Sequence, residues 1–231
     1  FETFLLGPHL SGYEVFRSAF GYLFNSYYEA AGPRHARPQR GLLTRPTLDE
    51  VHAYRRHVDG AMARLIDEES DAVWGEIAPL ILLGLHHEQQ HQELLLMDIK
   101  HALSCNPLLP AYRTDLGVFN APSPPLRWRE IEARTYEVGH AVGMAGAGDG
   151  FAFDNETPRH RVFLEDVRIA DRLVTNGEYL AFIEDGGYAE ARHWLMDGIT
   201  LAREQSWEAP LYWRKLDGVW CEFTLGGVRP V

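Results

Sequence analysis

The stretch His86-His87-Glu88-Gln89-Gln90-His91-Gln92-Glu93-Leu94 decides how this chain is read. The chain carries 11 histidines in 231 residues, and His86, His87 and His91 fall within six consecutive positions. Leu80, Ile81, Leu82 and Leu83 precede the stretch, and Leu94, Leu95, Leu96 and Met97 follow it. No Pro or Gly interrupts positions 85 to 105, so the pattern predicts a continuous helix. On a helix His87 and His91 stand at i and i+4. Their side chains leave one face, with Cβ atoms roughly 5–6 Å apart. Two imidazoles so placed can share a metal ion at about 2.0–2.1 Å from each ring nitrogen, with no loop needed to position them. The alternative is a pair of core histidines bonded to carbonyls or carboxylates.

The same residues satisfy the His-Glu-x-x-His pattern of zinc peptidases, with Glu88 as general base. Peptidases of that type need a third ligand downstream. Extended versions place a Gly three residues after the second His and a further His beyond it. Here Leu94 and Met97 occupy those positions. Asp98 and His101 lie further along the same helix. At about 1.5 Å of rise per residue a straight helix carries them too far to reach the same ion.

Composition bounds the rest. The length suggests one large or two small domains, and a hydrophobic fraction of 45% suffices for ordinary cores. A net charge of −11 argues against a nucleic-acid partner gripped by a broad basic surface. The two cysteines, Cys105 and Cys221, form no CxxC, so a disulfide scaffold and a Cys-rich zinc site are excluded and a reducing, cytoplasmic compartment is expected. No apolar run reaches the ~18–20 residues of a membrane span. The chain starts at Phe1 and stops at Val231, just after a Gly-Gly turn; both ends read as cuts from a longer protein.

In chain order, Phe1 to Leu6 reads as the end of an aromatic helix stopped by Gly7-Pro8, and Ser11 to Phe24 has helical spacing. Asn25 to Arg45 holds Tyr27 and Tyr28 and then Arg34, Arg37, Arg40 and Arg45 among prolines and glycines. It reads as a loop, either solvated or an anion site in which Arg forks bind carboxylates. Thr47 and Glu50 make a capping box that opens a helix to about Asp67. Its apolar stripe is Val51, Tyr54, Val58, Met62 and Leu65, with His52 and His57 off it and exposed. The next helix starts near Ser70-Asp71 or after Pro79 and carries the histidines to about Ser104. Helices joined by loops, with a metal pair facing inward, describe a four-helix bundle. The expected limits are a helical bundle with the metal site over 1–112, a Pro-containing linker over 113–130, and a second domain over 131–231. In that domain Tyr136 to Gly139 is strand-like, and His140 to Gly150 is a flexible Gly-rich loop without a phosphate-loop ending. Arg161 to Ile169 carries strands around a Glu165-Asp166 turn, and Thr175 to Glu178 is a second capping box opening a short helix to Gly186-Gly187. The Trp-rich remainder suggests an irregular α+β domain held by aromatic packing.

His87-Glu88-Gln89-Gln90-His91-Gln92-Glu93-Leu94, followed by Asp98-Ile99-Lys100-His101 and Asn106-Pro107, resembles the N-terminal domain of the ergothioneine-pathway sulfoxide synthases, the hercynine oxygenases. Phe1-Glu2-Thr3-Phe4-Leu5-Leu6 looks like the segment just after their first metal ligand. Asp154-Asn155-Glu156-x-Pro158-x-His160-x-Val162 and Val174-Thr175-Asn176-x-Glu178-Tyr179-x-x-Phe182 resemble the start of their second domain. The resemblance implies an α + (α+β) chain: a DinB-like four-helix bundle followed by a formylglycine-generating-enzyme-like (C-type-lectin-like) domain. It implies non-haem Fe(II) between the domains, with the histidine face of the helix looking toward the second domain. In the family three histidines hold the iron. His87 and His91 match two; the third would lie before Phe1, and His9, set off the helix by Gly7-Pro8, is not expected to replace it. The family's proton-donating tyrosine would lie beyond Val231. The implied substrates are hercynine, O₂ and a thiol (cysteine or γ-glutamylcysteine), giving a C–S bond and a sulfoxide; a related branch uses a selenium donor and makes selenoneine. Gln90 matches a residue that contacts the bound imidazole. Arg37 and Arg40 match loosely the region that holds the thiol's carboxylates, and Tyr27 and Tyr28 are expected beside them as an aromatic wall for the trimethylammonium group. Two alternatives stand beside this reading: the zinc peptidase, and a DinB-type module whose metal site is structural or lost.

Overall fold

The computed structural model describes residues 1–25, 32–68, 71–117, 122–141 and 150–231. Helices and small antiparallel sheets are both present, so the chain is mixed α and β. Two compact units emerge, Phe1–Glu93 and Leu94–Val231, and the division falls within one long helix.

The first unit is helical. A π-helical turn, Glu2–Leu6, runs into the short α1, Gly7–His9. Gly7-Pro8 therefore does not stop the helical run, contrary to the expectation from sequence. Pro8 falls at the start of the α-helical part of that run, where its fixed φ is compatible with the helix, and His9 stays helical. After it, helix α2 covers only Ser18–Leu23 rather than the expected span from Ser11. The reason is local: Gly12 adopts a φ of 69°, and residues 13 to 16 wrap the Glu2 carboxylate. Tyr13 donates its hydroxyl to Glu2 at 2.5 Å and Phe16 its backbone N–H at 3.3 Å. The Arg-rich loop contains a 3₁₀ helix, Arg37–Leu42, and Asn25 closes its neck by donating to the Gly32 carbonyl at 2.9 Å.

Helix α3 spans Leu48–Glu68. Its capping box forms as the sequence predicts: Thr47 N–H donates to Glu50 at 2.8 Å and Glu50 N–H to the Thr47 hydroxyl at 3.3 Å. The predicted stripe points inward. Val58, Met62 and Leu65 join Leu5, Leu6, Leu10, Ala61 and Ile77 in one core, with Tyr54 packed against it. His57 is not exposed as expected. Its Nε2 lies 2.9 Å from the Glu14 carbonyl, and its ring sits against Tyr13 and Phe16. Helix α4, Asp71–Ser104, runs unbroken through Pro79. That proline cannot donate to the Gly75 carbonyl, and the helix continues on both sides of it.

In the second unit the first two ladders are one ribbon. β1 (Trp128–Ile131) pairs with β4 (Val167–Ala170), and β2 (Arg134–Val138) with β3 (His160–Leu164). The antiparallel register continues unchanged from Trp128↔Ala170 to Val138↔His160. Glu165-Asp166 is therefore a jog in one long strand and not a hairpin turn. Across the jog Ala133 N–H donates to Asp166 at 2.6 Å. Residues 128 to 130, expected as linker, are strand because the ribbon reaches back to them. The Gly-rich loop predicted over 140–150 lies outside the described residues between 142 and 149.

Helix α5, Asn176–Glu184, starts at the predicted box, with Thr175 and Glu178 bonded reciprocally. Gly186 takes a φ of 77° to end it, and Gly187 has no Cβ because the Phe182 ring closes over that spot. Helix α6 covers Met196–Glu204. A three-stranded meander follows: β5 (Trp213–Leu216), β6 (Val219–Thr224) and β7 (Gly227–Pro230). Its first turn is Asp217-Gly218, both with positive φ (49° and 84°), the geometry a two-residue hairpin needs. Aromatic packing holds this part as the sequence suggests: Trp213 meets Tyr179 and Trp220, and Tyr188 meets Trp194.

Candidate metal site on helix α4

His87 and His91 come together as the i, i+4 spacing allows. Their Nε2 atoms are 3.2 Å apart, and their rings meet edge to face with centroids at 4.5 Å. Two nitrogens each about 2.05 Å from one ion and 3.2 Å apart subtend roughly 100° at it, an angle between octahedral and tetrahedral. The pair therefore fits a shared divalent ion. Burial, then the neighbouring charge of His91, hold the His87 pKa below the usual histidine value. That favours the neutral imidazole, which is the form that ligates. No group of three or more His, Cys, Asp or Glu gathers around one point among the described residues.

Glu88 follows His87 by one position and so points about 100° round the helix. Its carboxylate lies 3.9 Å from Arg55 on α3, and Arg55 also binds Asp59 at 2.8 Å. A carboxylate engaged by Arg55 is not placed as a general base beside the histidine pair, which weighs against the peptidase arrangement. Gln90 is exposed, one turn after His87 on the same side of the helix.

Arg37 and Arg40 stand three apart on the 3₁₀ helix, where i and i+3 eclipse, so both leave one face. Arg37 is exposed; Arg40 is half-buried and donates to the His35 carbonyl at 3.2 Å. Tyr27 and Tyr28 lie outside the described residues. Asp98 and His101 belong to the second unit. There His101 Nε2 is 3.7 Å from the Cys105 sulfur, and the Lys100 ammonium sits over the Tyr212 ring at 4.2 Å.

Cavities among the described residues include the following three. One of about 410 Å³ is lined by Arg17, Tyr22, Arg45 and Glu50. One of about 440 Å³ lies beside His140 and His160, and one of about 790 Å³ beside Trp207, Trp213 and Trp220. None of the three is lined by His87 or His91.

The sequence reading passed over Glu2. It is a lone acid among Phe1, Phe4, Leu5 and Leu6, and that isolation was the available signal. Besides Tyr13 and Phe16 it accepts a hydrogen bond from Tyr54 on α3 at 2.8 Å. Burial first, and then the bond to Glu2, push both phenols well above the usual tyrosine range.

No protein-family model matches the chain. Curated relatives do. Hercynine oxygenase of Mycobacterium tuberculosis is 32% identical over 130 residues, covering 56% of this chain and 29% of that protein. Hercynine oxygenase of Mycolicibacterium thermoresistibile is 30% identical over 159 residues, covering 69% of this chain and 32% of the relative. The protein of the same name from Mycolicibacterium smegmatis is 32% identical over 133 residues, with 57% and 29% covered. The chain thus spans about a third of the length of the curated relatives it matches. No described helix is long and apolar enough to cross a membrane. By sequence, then, the chain is similar to hercynine oxygenases over more than half of its own length.

Proposed function

We propose that this chain forms part of a non-haem Fe(II), O₂-dependent sulfoxide synthase. It joins a thiol, cysteine or γ-glutamylcysteine, to the imidazole carbon of hercynine in ergothioneine biosynthesis. The observation that carries the proposal is the convergent His87–His91 pair, with Nε2 atoms 3.2 Å apart, on a chain similar to proteins named hercynine oxygenase. The overall reaction balances as thiol plus imidazole C–H plus O₂ giving the sulfoxide-linked product and water: two hydrogens and four electrons pass to O₂.

In this reading the first unit is a DinB-like bundle and the second the beginning of a formylglycine-generating-enzyme-like domain. His87 and His91 hold the iron together with a histidine that precedes Phe1 in the full-length protein. When bound, the iron supplies redox chemistry with O₂ and open positions for substrate atoms. Gln90 orients the hercynine imidazole from the next turn of α4. Arg37 and Arg40, side by side on the 3₁₀ face, hold substrate carboxylates by bidentate bonds, and Tyr27 and Tyr28 contribute the wall for the trimethylammonium group. Glu88 stays with Arg55 and takes no part in proton transfer.

The test is a product assay with the full-length protein, Fe(II), O₂, hercynine and each thiol, read by mass spectrometry. The proposal expects the sulfoxide adduct with one of the two thiols and its loss in His87→Ala. Absence of adduct with both thiols in an iron-loaded protein would overturn it.

A further inference from the structure

Two features of the first helical segment bear on the histidine pair without belonging to it. The first is Glu2, whose carboxylate accepts from Tyr13 OH at 2.5 Å, Tyr54 OH at 2.8 Å and Phe16 N–H at 3.3 Å. One carboxylate so ties the segment both to the loop after α1 and to α3. The second is Gly84. A Cβ placed there would stand 2.8 Å from the Phe1 ring, closer than real contacts allow, so the missing side chain is what admits the ring. Gly84, His87 and His91 lie at i, i+3 and i+7, which is one stripe of α4. Phe1 therefore occupies the same stripe as the pair, one turn ahead of His87. Leu5 and Leu6, buried in the core, leave the segment no freedom to slide.

An imidazole on an exposed helix face has several rotamers, and two rings converge only when packing selects the right ones. We infer that Glu2 and Gly84 are positioning residues: the Glu2 latch and the Phe1–Gly84 notch press the first helical segment onto α4, where it walls His87 and holds the two rings convergent. The inference rests on the proposed role of His87 and His91 as ligands, but it concerns ring geometry, which is measurable without metal.

Two readouts test it. One is the proton NOE between the His87 and His91 rings in metal-free protein. The other is Co(II) affinity, followed by visible absorption. Gly84→Leu fills the notch, and Glu2→Leu removes the latch. Both are expected to abolish or strongly weaken the NOE and to loosen Co(II) by about 10-fold to 100-fold, the range for residues that orient metal ligands, with the far-UV circular dichroism unchanged. Glu2→Gln keeps an oxygen acceptor in place and should restore both readouts to within about threefold of wild type, a rescue expected of a latch that works by accepting bonds. Where Gly84→Leu fails to fold, Gly84→Ala, with its single methyl, replaces it and shows the same effect at smaller size. The inference is overturned if the wild-type NOE is absent. It is also overturned if folded Gly84 and Glu2→Leu variants keep both NOE and Co(II) affinity. If the NOE behaves as expected while wild type binds no Co(II), the positioning role stands and the metal assignment falls.

Discussion

Leu65 is fully buried, and its neighbour Ile66 is 45% exposed. These adjacent positions of α3 point about 100° apart, one into the core and one toward solvent, so truncating each asks whether the helix presents the stripe described. Around Leu65 lie Leu6 and Ile77, also fully buried, with Val58, Ala61 and Met62. Leu65→Ala removes a buried isopropyl group and leaves a cavity that the surrounding core closes only in part. Such changes cost about 2–5 kcal/mol. Taking ~3 kcal/mol for a unit of 93 residues, melting should fall by roughly 12–24 °C. Ile66→Ala truncates a side chain that is about half in solvent and should cost clearly less, ~1 kcal/mol. The assay is urea unfolding followed at 222 nm, a signal dominated by α3 and α4. Equal losses for the two variants, or less than ~1 kcal/mol for Leu65→Ala, would refute the described facing of α3 and with it the core beneath the histidine helix.

Other expectations are as specific. Glu178 is held at a pKa of about 2, first by the Arg172 guanidinium and then by Thr175. A pKa depressed on folding contributes stability that is full above the ordinary carboxylate pKa and is lost as pH falls toward about 2. Glu178→Gln should flatten that limb of an acid unfolding profile, and an unchanged limb would contradict the assignment. Glu88→Gln should leave metal affinity within about fivefold, because an exposed ion pair such as that with Arg55 is worth ~0–1 kcal/mol; a collapse of a hydrolytic activity in this variant would revive the peptidase. In the full-length protein Arg37→Ala and Arg40→Ala should each weaken γ-glutamylcysteine by about 10-fold or more, the worth of a charged hydrogen bond, and weaken cysteine less. Unchanged affinities for both thiols would make the 3₁₀ face a solvated surface.

What was legible in the sequence was whatever one local pattern determines. Thr47–Glu50 and Thr175–Glu178 announced two helix starts because a capping box is complete within four residues. The i, i+4 histidines announced a shared face because helix geometry alone sets their Cβ atoms side by side, whereas the rotamers that bring the rings together were not legible. The failures share a cause in partners distant along the chain. Residues 11 to 17 have helical spacing, yet Glu2 draws Tyr13 and Phe16 out of a helix. The Glu165-Asp166 turn has hairpin chemistry, but its flanking strands pair with residues more than 20 positions upstream. Gly7-Pro8 looked like a stop because proline ends a helix it enters late; here it enters at the start of the α-helical part of the run. Gly84 carried no legible meaning, since only the structure reveals the Phe1 ring against it.

The most direct test of the central claim is metal analysis of the full-length protein after anaerobic Fe(II) loading and desalting. The account predicts about one iron per chain in the wild type, as expected for a single His-ligated site, and its loss in the His87→Ala/His91→Ala double variant. Iron retained unchanged by the double variant, or firmly bound zinc together with peptide cleavage in the wild type, would contradict it.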